Sequence, residues 1–182
     1  MSRLFARALV PVDFAEATEA HIDQGHALEI AEGVHVELSP ASVRALEIAN
    51  DMVGRDAGGG LRIVHATPAL DRTPVYGGAA GLNRLSGAID EVHKAAKAAA
   101  MEAMQKLASQ HCTGVNITYF AHPANALDLI LSEAKAFDAD VIVLAASGRS
   151  RVARFFLGST ADRVIRNAPC PVVVVPAHHG DD

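Results

Sequence analysis

Apolar and polar positions change period several times along the chain, and each change marks an element. Branched aliphatic runs occur five times: Ala8 to Val12, Leu61 to His65, Val115 to Ala121, Val141 to Ala146 and Val172 to Val175. The second and third alternate in part, while the fourth and fifth are unbroken, as in strands covered on both faces. Between the runs lie stripes with a period of about 3.6 residues. Leu127, Ile130, Leu131, Ala134 and Phe137 form one, predicting a helix from Ala124 to Phe137. Ile89, Val92, Ala96, Ala99, Ala103 and Leu107 form another, with Asp90/Lys94 and Glu102/Lys106 as favourable pairs four residues apart. Ser39 followed by Pro40 reads as a cap and first-turn proline, opening a helix through Val43, Leu46, Ala49 and Val53 that stops at Gly54. Ser159, with Asp162 three residues on, reads as the cap of a last short helix through Val164, Ile165 and Ala168. Strand and helix alternate, so the expected architecture is α/β with a mainly parallel sheet.

Two segments interrupt that alternation. Residues 67–87 hold Gly77, Gly78, Gly81 and Gly87 and read as a flexible Gly/Pro-rich loop. The other break lies between Asp13 and Ser39, where a layered α/β fold usually needs only a short connection. There Leu28, Ile30, Val34, Val36 and Leu38 alternate with Glu29, His35 and Glu37 about Gly33. This predicts an inserted β-hairpin within residues 18–38, not a second domain. The 182 residues suit a single domain spanning 1–182.

Composition narrows the function classes. Sixteen Lys and Arg against twenty-one Asp and Glu leave a net charge of −5, which argues against a domain that grips nucleic acid by neutralising phosphates. Aromatics are 4% and Trp is absent, so base-stacking platforms are not expected either. Apolar runs fall well short of the roughly 18 residues that suggest a membrane span. Cys112 and Cys170 stand far apart without ligand spacing, and they are expected to pack as small apolar groups in a reducing cytoplasm.

In an open α/β sheet, ligands bind beyond the carboxyl ends of the strands, so the residues after each strand carry the candidate chemistry. Pro11, Val12 and Asp13 end the first run. The Asp13 carboxylate can accept from an amine or hydroxyl of a ligand, or it can cap a backbone turn. After the fourth run come Ala145, Gly148 and Arg149, then Gly158, Ser159 and Thr160 at a helix start. Glycines allow close backbone approach to phosphate oxygens, and a helix N-terminus offers free N–H groups to an anion. The plainer reading is a loop capped by Ser159 with solvated arginines. No GxxxxGK[ST], no GxGxxG after the first strand and no GxSxG elbow occur, and the nine histidines lack metal-site spacing. No catalytic or metal-binding residue is assigned.

The run VPVDFAE, the spacing Ala145-x2-Gly148-x9-Gly158-Ser159 and the C-terminal DRVIRNAPCPVVVVP together resemble the universal stress protein family. Similarity covers most of the chain outside the hairpin and the Gly/Pro-rich loop. Three positions depart from the family pattern: Ala145 stands for the first glycine of the loop, Arg151 for a common glycine, and Ala121-His122 lacks the usual glycine before Pro123. The resemblance implies a five-stranded parallel sheet with helices on both faces, Rossmann-like, carrying the hairpin as an addition. It further implies ATP, with or without magnesium, as the ligand. Asp13, with Pro11 and Val12, would meet the adenine end, and Ala66 after the second strand would line the base. Ala145, Gly148, Arg149, Gly158, Ser159 and Thr160 would hold ribose and phosphates. A homodimer through Val172 to Val175 is implied as well. The inserted hairpin, by its own pattern, is read as a surface for a protein partner. The expected role is a cytoplasmic stress-response module that acts through changes of shape or partner. The alternatives are a dimeric interaction module without nucleotide and a slow ATPase.

Overall fold

The computed structural model describes residues 5–23, 27–31, 34–53, 60–69, 79–146 and 158–176. Five parallel strands form the central sheet: β1 (Arg7–Pro11), β5 (Gly60–Thr67), β6 (Asn116–Pro123), β7 (Val141–Ala145) and β8 (Val172–Val175). Their spatial order is β6-β5-β1-β7-β8, which confirms the expected five-stranded parallel fold. β1 lies in the middle, paired with β5 on one side and β7 on the other. The connections therefore diverge at β1, and a crevice opens where its carboxyl end meets that of β7.

Alternation along the strands sorts the core into two layers. Ala8, Val10, Leu61, Ile63, Val141 and Val143 turn to one face, where they meet Leu46, Ala49 and Val53 of α2 (Pro40–Val53) and Met104, Leu107 and Ala108 of α3 (Ala79–His111). Leu9, Val64, Ile142 and Leu144 turn to the other, against Leu127, Ile130 and Ala134 of α4 (Ala126–Ala136) and Ala161 and Val164 of α5 (Ser159–Asn167). Leu9, Leu46, Leu61, Ile63 and Ile142 have no exposed surface, and burying each such side chain contributes about 1.5–3 kcal/mol. Asn125 caps α4, its side chain accepting the Leu127 N–H at 3.0 Å.

An ion pair joins the sheet to its second layer. Arg62 of β5 donates from Nη1 to Glu133 Oε2 of α4 at 2.8 Å, and its guanidinium lies 4.4 Å from the centre of the Phe137 ring. Glu133 is buried, so removing its partner strands a carboxylate away from water. Arg62→Ala is expected to destabilise the fold by about 2 kcal/mol, read as a lowered denaturant midpoint with unchanged slope.

The segment after β1 folds as a small sheet of its own, in the order β2-β4-β3. β3 (Ala27–Ala31) and β4 (Val34–Leu38) pair antiparallel, and β2 (Phe14–Glu16), which has no pattern of its own in the sequence, pairs with β4 from Phe14 opposite Leu38 to Glu16 opposite Val36. A five-residue helix, α1 (Glu19–Asp23), separates β2 from β3. Phe14 and Leu38 pack on the α2/α3 core layer, and Lys106 Nζ of α3 donates to the Glu29 carbonyl at 2.6 Å. Part of the apolar side of the insertion thus rests on its own domain.

Three sequence expectations shift. α3 begins at Ala79, inside the segment read as loop, because Leu82 and Leu85 extend the Ile89 stripe toward the N-terminus and Ala79 and Ala80 favour helix despite Gly81 and Gly87. The remainder of that loop, residues 70–78, lies outside the described residues. The cap of α5 is Gly158, with Ser159 as the first helical residue. Cys112 is buried as expected, whereas Cys170 is only half-buried.

Burial first, and the Glu47 carboxylate second, push the Cys112 thiol up to about 11. In the unfolded chain the thiol ionises at lower pH, so folding stability from this group falls as pH rises from the ordinary thiol range through about 11. The checkable outcome is that Cys112 reacts with a disulfide reagent at pH 8 far more slowly in the native protein than in urea.

Candidate functional site

Above the carboxyl ends of β1, β5 and β7 lies a cavity of about 1210 Å³. Eight of the ten residues expected from the sequence line it: Pro11, Val12, Asp13, Ala66, Ala145, Gly158, Ser159 and Thr160. Gly148 and Arg149 lie outside the described residues.

The geometry follows from the strand ends. Val12 continues β1 by one residue, its N–H donating to the Val64 carbonyl at 2.9 Å. His65 Nδ1 then donates to the Val12 carbonyl, also at 2.9 Å, since a carbonyl can only accept. That bond sets the orientation of the imidazole and turns Nε2 away from the Val12 carbonyl. Phe14 closes on the same ring with centroids 5.0 Å apart and planes tilted by 56°. The backbone is thus held on both sides of Asp13, whose side chain is exposed at the cavity edge. Opposite stands the start of α5. Gly158 caps it with φ −58° and ψ 149° and makes no side-chain cap bond. The N–H groups of Ser159, Thr160 and Ala161 therefore have no partner within the helix, and the exposed Ser159 and Thr160 follow the cap directly. Asp162, also in this turn, is clamped by Arg166 through bonds of 3.0 and 3.1 Å. Those bonds hold its carboxyl below the ordinary carboxylate range and offset a charge that would otherwise oppose an anion here.

Sequence reasoning missed part of the lining. Leu129 and Ile130 of α4 and Val164 of α5 supply an apolar wall, while Ser39, Ser42 and Arg44 come from the start of α2. Glu37 and Leu38 come from β4, so the inserted sheet reaches the cavity rim. His65 was within reach of sequence reading, since it directly precedes Ala66 at the end of β5. The chemistry available is an apolar wall, a carboxylate acceptor, a helix N-terminus and the Arg44 cation, all lining one cavity. Among the described residues no group of three or more His, Cys, Asp or Glu could hold a metal ion. No helix among them is long and apolar enough to cross a membrane.

The model of the universal stress protein family matches residues 33–176. The chain belongs to this family. The match leaves out β1, which the inserted sheet separates in sequence from the remaining strands although it lies at the centre of the fold. Universal stress protein MJ0531 of Methanocaldococcus jannaschii is 47% identical over 53 residues, 29% of this chain and 29% of that protein, so the matched stretch spans under a third of the relative's length. A solved universal stress protein family protein from Arabidopsis thaliana with AMP bound has a TM-score of 0.53 at 14% identity, covering 97% of this chain and 94% of its own. A solved universal stress protein in complex with cAMP has a TM-score of 0.51 at 18% identity, with 96% and 98% covered. These two likenesses extend the agreement in fold to nearly the full chain.

Proposed function

We propose that this universal stress protein binds an adenine nucleotide, ATP in particular, in the cavity at the ends of β1 and β7, and acts as a regulatory module through a change of shape or partner. The observation that carries the reading is the convergence of Asp13, Ala66, Ala145, Gly158, Ser159 and Thr160, separate in sequence, on one cavity at the point where the strand connections diverge. The donor set suits the ligand. Val12, Val64, Ala66, Leu129 and Ile130 offer an apolar slot for the base, and Asp13 can accept from its exocyclic amine or from a ribose hydroxyl. The bare Gly158 and the α5 terminus suit phosphate, and magnesium would travel on the phosphates with its waters. AMP and cAMP in the two solved relatives support the choice of an adenine nucleotide.

We also infer a homodimer through β8, whose far side pairs with no other described strand. The inserted sheet, with one end at the cavity rim and the other on α3, is the element we assign to partner contact. A mass spectrum of gently denatured purified protein tests the nucleotide reading. Released adenine nucleotide is the expected result. Protein that emerges empty and stays empty after incubation with ATP and rapid desalting contradicts it.

A further inference from the structure

Among the cavity residues, Arg44 has a feature that the expected family motif does not explain. It lies one turn into α2, whose start is rigid: the Ser42 N–H donates to Ser39 Oγ at 3.1 Å, the two hydroxyl oxygens are 2.9 Å apart, and Ala41, Ala45, Leu46 and Ala49 anchor the helix in the core. The Ser39 and Ser42 hydroxyls are thereby occupied with the cap. Arg44 lines the cavity, yet its Nη1 is buried and has no hydrogen-bond partner among the described residues. Asp13 and Glu37 share the lining, and Nη1 bonds to neither. A guanidinium stays charged under all ordinary conditions, and a buried charged donor without an acceptor is costly. An anion in the cavity would supply the acceptor, and the other anion-favouring group of the same cavity is the start of α5 at Gly158.

We propose that Arg44 reads the phosphate chain of the bound nucleotide, pairing with its phosphate oxygens from the α2 side while the α5 terminus holds them from the other. This rests on the reading of the cavity as an adenine-nucleotide site and adds its selectivity: polyphosphate nucleotides are favoured over the bare nucleoside. A planar fork of N–H donors matches a phosphate bidentately, which a lysine cannot reproduce. Arg44 is accordingly a specificity residue whose contribution depends on the ligand's charge.

Calorimetry on the full chain with ATP, AMP and adenosine tests the proposal. The wild-type protein should bind ATP more tightly than adenosine. Arg44→Gln should weaken ATP by about tenfold or more while leaving adenosine within about twofold, and Arg44→Lys should recover part of the ATP affinity. Because Nη1 bonds to no described residue, Arg44→Gln should melt no lower than wild type without nucleotide. Unchanged ATP affinity in Arg44→Gln overturns the proposal, as does an equal loss for ATP and adenosine with a lowered melting temperature. Adenosine binding by the wild type reports on the cavity itself. A wild-type protein that binds adenosine but gains nothing from phosphates refutes Arg44 alone, whereas one that binds neither ligand refutes the nucleotide reading along with it.

Discussion

Gly158→Val should lower ATP affinity on the order of 100-fold, about 2.7 kcal/mol, while the protein remains folded. Gly158 caps α5 at φ −58° and ψ 149°, a conformation that valine adopts without backbone strain. It makes no side-chain cap bond that could be lost, so the folding cost is limited to replacing a tolerated cap residue by a poor one, about 1 kcal/mol. Binding is affected differently. A branched side chain at the mouth of the helix holds the phosphates away from the first-turn N–H groups, and each charge-assisted hydrogen bond lost costs roughly 1.5–3 kcal/mol. Loss of one or two such bonds accounts for the expected factor. Titration calorimetry alongside thermal unfolding separates the two effects. A folded Gly158→Val protein with wild-type ATP affinity would remove the phosphates from the start of α5.

Val174→Pro should convert a dimer into a monomer. Along β8, the carbonyls of Pro171 and Val175 accept from Ile142 and Ala146 of β7 and its following residue, at 3.0 and 2.8 Å. Strand periodicity then turns the N–H and C=O groups of Val172 and Val174 outward, to the open edge. The inserted sheet pairs only within its own three strands among the described residues, so it does not cover this edge by strand pairing. An apolar edge strand whose outward backbone groups pair with no other described strand is a template for a second copy, and proline at position 174 removes an edge donor without breaking a bond to β7. A lysine at the same position would disturb more, because Val174 packs against the α4/α5 core layer. Sedimentation at several concentrations reads the outcome. A wild-type chain that stays monomeric at high concentration, or a Val174→Pro chain that stays dimeric, contradicts pairing through β8.

The parts of the fold that were legible in the sequence are those whose pattern is local. Val141 to Ala145 and Val172 to Val175 are unbroken apolar runs because both faces of those strands are covered, and Ser39-Pro40 marks the start of α2 because capping involves neighbours in sequence. The β3/β4 alternation was visible for the same reason. β2 was not, since three residues cannot establish a period, and its pairing depends on β4 returning to meet it. The cap of α5 moved by one residue because Ser159 and Gly158 are both acceptable caps, and only the backbone path chooses between them.

The candidate site divides along the same line. Asp13, Ala66, Ala145 and Gly158 to Thr160 stand at or just beyond strand ends or at a helix start, positions that the α/β architecture itself points to. Arg44, Leu129 and Ile130 belong to helical stripes whose other members are core, so periodicity alone marks them as packing residues or surface. Their place in the cavity arises only when α2 and α4 are set on opposite faces of β1.

Equilibrium titration of nucleotide-stripped protein with ATP tests the central claim most directly. Saturable binding of one nucleotide per chain, weakened strongly by Gly158→Val and only slightly by Arg62→Ala, is the expected result. A folded protein that shows no saturable ATP binding up to millimolar concentrations would contradict it.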